Sequence, residues 1–237
     1  PHKLRLIASL GPDATLVHPF DAPFAETPPE TFVRSLAAAC RPLRGIRVGH
    51  EWCFGKDRAG NLDLLRVLGR ELGFDADGIP QVTVGGTPVS STATRRAVQA
   101  GDLAAAERFL GRPYSILGTV VHGDGRGRAL GVPTANLAAH NEQFPPDGVY
   151  AVHADVAGRQ LPGVVNIGLR PTVREAGERT LELHLLDFDG DLYGSDIEVA
   201  FRARLRDERK FASADDLKQQ IAADIAAARP LLQSYPA

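Results

Sequence analysis

The sequence has no methionine, two cysteines, one tryptophan and only four lysines among its 27 basic residues. Each shortage excludes something. Cys40 and Cys53 are too few for a disulfide framework and lack the paired spacing of a metal site, so free thiols in a reducing cytoplasmic compartment are expected. No stretch approaches the roughly 18 consecutive apolar residues of a membrane span, which predicts a soluble chain with no membrane partner. The 27 basic residues face 29 acidic ones, and a net charge of −2 leaves no electrostatic footprint for nucleic acid. The excess of arginine over lysine reads as genome composition rather than as phosphate binding. Without a methionine, Pro1-His2-Lys3-Leu4-Arg5-Leu6 opens the chain with no signal-like segment, and the expectation is that a segment upstream is missing.

What is present describes an ordinary globular chain: 237 residues, 43% hydrophobic and 24% charged. At about 150 residues per domain this is one large or two small domains. The first part alternates strand and helix signals, which implies an α/β unit with a mostly parallel sheet. Leu16-Val17 and Gly45 to Gly49 read as short strands, and a helix starts near Thr27 to Leu36. Leu62, Leu65, Leu68 and Leu72 form an apolar stripe ending at Gly73, with a strand at Gln81 to Val84. Ser91 to Ala100 and Leu103 to Leu110 read as two short helices broken at Gly101-Asp102. After Gly111-Arg112-Pro113 the pattern becomes all-β. Ile116 to Val121, Val149 to Val156, Gly163 to Ile167, Leu181 to Phe188 and Ile197 to Leu205 are β-prone runs between Gly, Pro and Asp turns, as in a small barrel. Ser213 then caps a closing helix with Leu217, Ile221 and Ile225 at four-residue spacing. The domains are therefore set at 1–110 and 111–237.

The segment richest in chemistry runs from Gly118 to Asn136. Its glycines let backbone N–H groups approach an anion, and Arg126 and Arg128 carry charge that phosphate would need. It has neither a Walker ending nor a Gly-x-Gly-x-x-Gly before a helix, so a solvated hairpin loop stands beside the phosphate-cradle reading. Thr134 and Asn136 lie on one side of an extended Pro-Thr-Ala-Asn run and offer hard oxygens suited to Mg²⁺. In Leu181-Glu182-Leu183-His184-Leu185 strand alternation sets Glu182 and His184 opposite the leucines, either on a solvated face or as a general base. Asp187 to Asp191 is a turn, because its glycine falls at the fourth and not the sixth position of a calcium loop.

Taken in order, Gly-x-Val-x-x-Gly-x-x-x-Gly-x-x-Leu-Gly-x-Pro-Thr-Ala-Asn, Asp147-Gly148-Val149-Tyr150, Asn166-Ile167-Gly168-x-Arg170-Pro171-Thr172 and Leu181-Glu182-x-His184-Leu185-x-Asp187-Phe188 resemble riboflavin kinase over residues 112 to 229. The preceding part resembles the adenylyltransferase module of the bacterial bifunctional riboflavin kinase/FAD synthetases, at Phe20 to Val33, Val48 to Gly60 and Val89-Ser90-Ser91-Thr92. The resemblance implies a partial Rossmann-like nucleotidyltransferase domain followed by a small antiparallel β-barrel with a C-terminal helix. It implies phosphoryl transfer from ATP to the 5′-hydroxyl of riboflavin, giving FMN. By motif, Thr134 and Asn136 would hold Mg²⁺ and the ATP phosphates, and Gly123, Gly125, Arg126, Gly127, Arg128 and Gly131 would belong to the loop covering those phosphates. Glu182 would be the general base, and Gly148, Tyr150, Asn166, Gly168, Arg170 and Thr172 would shape the flavin and nucleotide pockets.

The front module departs from its family's pattern. The His-x-Gly-His pair is absent, Arg47-Val48-Gly49-His50 supplies only Gly-His at another motif, and Pro88 stands where a basic residue often precedes the Ser-Ser-Thr run. Ser91 and Thr92 remain as phosphate contacts, and the expectation is little or no adenylyl transfer by this chain. The alternatives are a full bifunctional enzyme whose first segment lies outside the sequence, and a flavin- or oligonucleotide-binding barrel without catalysis. The partners expected are riboflavin and ATP, with no nucleic acid, and self-association is left open.

Overall fold

The computed structural model describes residues 1–123, 127, 131–140, 143–170 and 178–233. Two compact units share the chain: Gly11–Val89, and Pro1–Leu10 together with Ser90–Ala237.

In the unit Gly11–Val89 the apolar stripe read from the sequence is a helix whose two ends are both chemically specified. It is α4 (Leu62–Leu72), in a series that also includes α2 (Ala22–Ala25) and α3 (Pro29–Ala39). The Asn61 side chain accepts from the Leu64 N–H at 3.0 Å, and Gly73 ends the helix in the left-handed conformation. Leu65 and Leu68 pack with Val33, Phe54 and Phe74 into a small core. The helix connects β1 (Gly45–Gly49) to β2 (Asp75–Ile79), which pair in parallel from Gly45 opposite Asp75 to Gly49 opposite Ile79. A short hairpin follows, β3 (Thr83–Val84) with β4 (Thr87–Pro88). The strand expected at Leu16-Val17 does not form: both side chains are exposed, at 81% and 62%, and among the described residues no ladder partner satisfies an extended backbone there. A run of aromatic contacts crosses this unit, with His18 stacked on Phe24 at 4.3 Å and Trp52 on Phe54 at 4.6 Å.

In the other unit α1 (His2–Ala8) comes from the start of the chain, followed by α5 (Ser91–Ala100) and α6 (Leu103–Leu110). The corner between α5 and α6 falls at the break read from the sequence: Gly101 is left-handed and Asp102 accepts from the Ala105 N–H at 2.8 Å. Six antiparallel strands then close a barrel: β5 (Ser115–Val121), β6 (Ala135–Ala139), β7 (Gly148–Val156), β8 (Arg159–Arg170), β9 (Glu178–Leu185) and β10 (Asp196–Asp207). Around the barrel the order is β10-β5-β6-β9-β8-β7. β7 and β8 meet through Ala157 and Gly158 at φ of 50° and 81°, the paired positive φ of a two-residue hairpin.

Alternation sends Ile116, Leu137, Tyr150, Val165, Leu181, Leu183 and Phe201 into the barrel, where each is at most 5% exposed. Full burial of such side chains contributes roughly 1.5–3 kcal/mol each. The outer face of β7 and β8 is covered by α7 (Ala214–Gln233), whose Ile225, Ala228 and Leu232 meet Val149, Ala151 and Val164. Ser213 caps this helix as expected, accepting from the Asp216 N–H at 3.1 Å. Period-two alternation thus gives the barrel two apolar faces in one region, one inside and one beneath α7.

Candidate active site

Glu182 sits at the middle of an outward-facing row. Its neighbours Leu181 and Leu183 are each 1% exposed in the barrel core, so alternation turns the carboxylate outward, where it is half-buried. The register sets Glu182 opposite Asn136 on β6 and opposite Asn166 on β8. Paired residues of an antiparallel ladder project from the same face. The carboxylate is therefore flanked by two carboxamides, each about 5 Å away in strand spacing. The row continues through Val149 on β7 to Arg206 on β10.

The Pro-Thr-Ala-Asn run leads into β6, and the loop glycines close on it. A Cβ at Gly123 would overlap the Asn136 carboxamide, and one at Gly127 would lie 2.8 Å from Thr134 Oγ1 and 2.5 Å from the Val132 carbonyl. Only glycine tolerates such approach, so the backbone at 123 and 127 rests directly on the two oxygen-bearing side chains. The Val132 N–H donates to the Gly127 carbonyl at 2.9 Å. From β9, His184 Nδ1 donates to the Pro133 carbonyl at 2.8 Å and ties the run to the strand that carries Glu182. Strand alternation alone places His184 on this face and does not signal this tie.

Beside Thr134 a cavity of about 740 Å³ opens, lined by Ala135, Leu183, Leu185, Phe188, Asp191 and Tyr193 among others. Gly131 belongs to its wall, with φ of 78°. Tyr193 also stacks on His122 at 4.1 Å, which joins the start of the glycine loop to the Asp187–Asp191 turn and its continuation. By sequence that run is a turn. Its apolar-polar lining of Phe188 and Asp191 is the signal that it walls a cavity.

The remaining residues are distributed differently. Tyr150 is fully buried inside the barrel, where its hydroxyl donates to the Pro146 carbonyl at 2.5 Å and burial raises the phenol above its ordinary pKa. Gly148, at φ of 154°, lies under the Arg206 carbonyl, and Gly168 lies on the outer face two residues beyond Asn166. Ser91 and Thr92 open α5, behind a Ser90 side chain that accepts from the Ala93 N–H at 3.1 Å. Gly125, Arg126, Arg128 and Thr172, and the side chain of Arg170, lie outside the described residues. Among the described residues no group of three or more His, Cys, Asp or Glu could hold a metal by itself, and no helix is long and apolar enough to cross a membrane.

Comparison with known proteins shows the family. A family model described as riboflavin kinase matches residues 110–232, and one described as FAD synthetase matches residues 1–93. A bifunctional riboflavin kinase/FMN adenylyltransferase of Escherichia coli strain K12 is 45% identical over 229 residues, spanning 96% of this chain and 72% of that protein. One from Bacillus subtilis is 35% identical over 231 residues, 94% and 71% of the two chains. A crystal structure described as a macrolide-efflux protein from Streptococcus pneumoniae superposes with a TM-score of 0.82 at 29% identity, covering 96% of this chain and 73% of that one.

Proposed function

The chain belongs to the family of bifunctional riboflavin kinase/FMN adenylyltransferases, and from that premise we propose that its barrel transfers the γ-phosphoryl group of ATP to the 5′-hydroxyl of riboflavin. The observation that carries this reading is the row Asn136-Glu182-Asn166, with Thr134 and Asn136 clasped by Gly123 and Gly127. Phosphoryl transfer asks a protein mainly for positioning and charge stabilisation. The ribityl oxygen bonds to the γ-phosphorus, the bond from that phosphorus to the β,γ-bridging oxygen breaks, and ADP leaves. Glu182 takes the hydroxyl proton as the new bond forms, and a carboxylate is basic enough because that proton becomes acidic late in the transfer.

Thr134 and Asn136 suit Mg²⁺ held mainly by ATP phosphates and water. Their oxygens are hard and neutral, and Mg²⁺ ordinarily takes few protein ligands beside substrate phosphates. Bound there, the ion would neutralise charge on the β- and γ-phosphates. The cavity beside Thr134 is of a size to take the rest of the nucleotide. Residues 111–237 are the kinase domain in this reading.

Two substitutions test the nucleotide side. Gly123→Ala displaces the Asn136 carboxamide, and kcat/KM for Mg·ATP is expected to fall about ten- to hundredfold, or about 1.4–2.7 kcal/mol. Steady-state kinetics with ATP varied check it; an unchanged value removes the cradle from the account. His184→Ala releases the Pro133 carbonyl, and losing one hydrogen bond of about 1 kcal/mol should raise KM for ATP about three- to tenfold. The same titration decides it, and a change confined to KM for riboflavin would contradict the assignment.

A second reading, adenylyl transfer to FMN, is favoured by the FAD synthetase match over residues 1–93. Ser91 and Thr92 at the start of α5 would then meet phosphate. Incubation with riboflavin, ATP and Mg²⁺, followed by chromatography, separates the outcomes. FMN supports the kinase, FAD supports the second activity as well, and unconverted riboflavin contradicts the kinase; a parallel incubation with FMN and ATP that yields no FAD contradicts the second.

A further inference from the structure

The chain leaves β9 for the cavity beside Thr134 through a residue in an uncommon backbone conformation. Asp187 has a φ of 54°, in the left-handed region that a non-glycine residue keeps only where its surroundings hold it. What holds it comes from another element. Arg229, on α7, donates through Nη1 to Asp187 Oδ2 at 2.6 Å and through Nη2 to Asp187 Oδ1 at 2.8 Å, a two-pronged fork. The same guanidinium keeps the Asp187 carboxyl below the usual carboxylate range. Both ends of the fork are seated. Leu186, one residue before Asp187, is 3% exposed and packs in one cluster with Ala228 and Leu232, which flank Arg229 on α7. Its N–H donates to the Pro162 carbonyl at 2.8 Å.

The residues that follow wall the cavity. The six from Phe188 to Tyr193 line it in unbroken order, together with Thr134. Within that wall the Phe188 ring folds over Gly190, where a Cβ would lie 2.8 Å from it, and Tyr193 stacks on His122. Asp187 is thus the last residue that α7 holds before the wall begins. The cavity adjoins Thr134, on the β6 side of Glu182, whereas Asn166 flanks Glu182 from β8. Both side chains of the fork are exposed, and an exposed ion pair ordinarily contributes little to stability. What the fork supplies is direction: two parallel hydrogen bonds set the angle at which the chain turns out of the strand.

We propose that the Arg229–Asp187 fork is a positioning element for the nucleotide: it sets the Phe188–Tyr193 wall of the cavity and so governs affinity for ATP without governing that for riboflavin. The inference rests on the kinase reading in taking ATP as the occupant of that cavity. It is tested on the full chain and on Arg229→Gln, Arg229→Lys, Asp187→Asn and the double variant Arg229→Gln/Asp187→Asn. Calorimetric titration with Mg·ADP and with riboflavin gives Kd, and steady-state kinetics give KM for ATP. Arg229→Gln and Asp187→Asn should each raise Kd for Mg·ADP and KM for ATP about fivefold, equivalent to about 1 kcal/mol, with Kd for riboflavin within about twofold. Asn tolerates the left-handed conformation as Asp does, so Asp187→Asn removes the charge and leaves the backbone preference in place. Arg229→Lys keeps the charge but loses the fork, and should group with Arg229→Gln rather than with the parent chain. The double variant should match the single ones at about fivefold, because all break one interaction, whereas independent effects would multiply to about 25-fold. Equal rises in Kd for Mg·ADP and riboflavin, multiplied effects in the double variant, or a Kd for Mg·ADP in Arg229→Lys within about twofold of the parent's would each overturn the inference. A parent chain that binds Mg·ADP without forming FMN would overturn the kinase reading, and the same binding ratios still decide this inference. A parent chain that binds no Mg·ADP would overturn both.

Discussion

Replacing Glu182 by Gln is expected to lower kcat for FMN formation about 10²–10⁴-fold, the range that a positioned general base supplies. The substitution keeps the size of the side chain and one acceptor oxygen but removes the capacity to take up a proton. Its structural cost is small: the side chain faces outward, and the strand is held by Leu181 and Leu183, which are untouched in the core. Asn136, which lies across the ladder from Glu182, still supplies its oxygen beside Thr134, so KM for ATP should stay within about twofold. A stopped assay across ATP and riboflavin concentrations checks both parts. If kcat is unchanged, Glu182 is not the base. An equal fall in affinity for both substrates would show that the residue holds the site together rather than moving a proton.

The second large effect is on stability. Phe201→Ala should destabilise the barrel by about 3–5 kcal/mol, the usual range for emptying a buried aromatic site. Phe201 is 2% exposed, 5.3 Å from the Tyr150 ring in an edge contact and 6.2 Å from the Tyr114 ring in a stacked one. Both rings are anchored by their hydroxyls, Tyr114 to the Gln143 carbonyl at 2.6 Å and Tyr150 to the Pro146 carbonyl, so neither can move in to fill the void. Urea unfolding followed by far-UV circular dichroism reads the change. Trp52, the single tryptophan, lies in the Gly11–Val89 unit and its fluorescence gives a separate reference transition. A loss of less than about 1 kcal/mol would mean that the barrel core repacks freely, contrary to the anchoring described.

Much of this fold was legible because barrel strands alternate. Leu181, Leu183 and Leu185 point inward as their spacing predicts, and Glu182 and His184 point outward. The helix from Leu62 to Leu72 was legible because its cap, stripe and terminal glycine agree. Other elements were hidden for physical reasons. β2, Asp75-Ala76-Asp77-Gly78-Ile79, has one β-branched residue and two charges, and is a strand only because β1 offers it a parallel ladder. β6 has five residues behind Pro133 and reads as a loop until β5 and β9 pair with it.

The candidate site divides in the same way. Thr134, Asn136 and Glu182 could be picked out by type, but Asn136 and Glu182 become neighbours only through a register 46 positions apart in the chain. Tyr150, a pocket residue by motif, lies inside the barrel, a placement that motif alone does not give.

In the proposed reaction one outward row on this barrel moves a phosphoryl group with Glu182 as base. ATP radiolabelled at the γ-phosphate, incubated with riboflavin, Mg²⁺ and the chain, follows that transfer itself. The prediction is labelled FMN from the parent chain and a rate lower by about two orders of magnitude or more in Glu182→Gln, at little-changed KM for ATP. Label transferred at the same rate by both chains, or no labelled FMN from either, would contradict it.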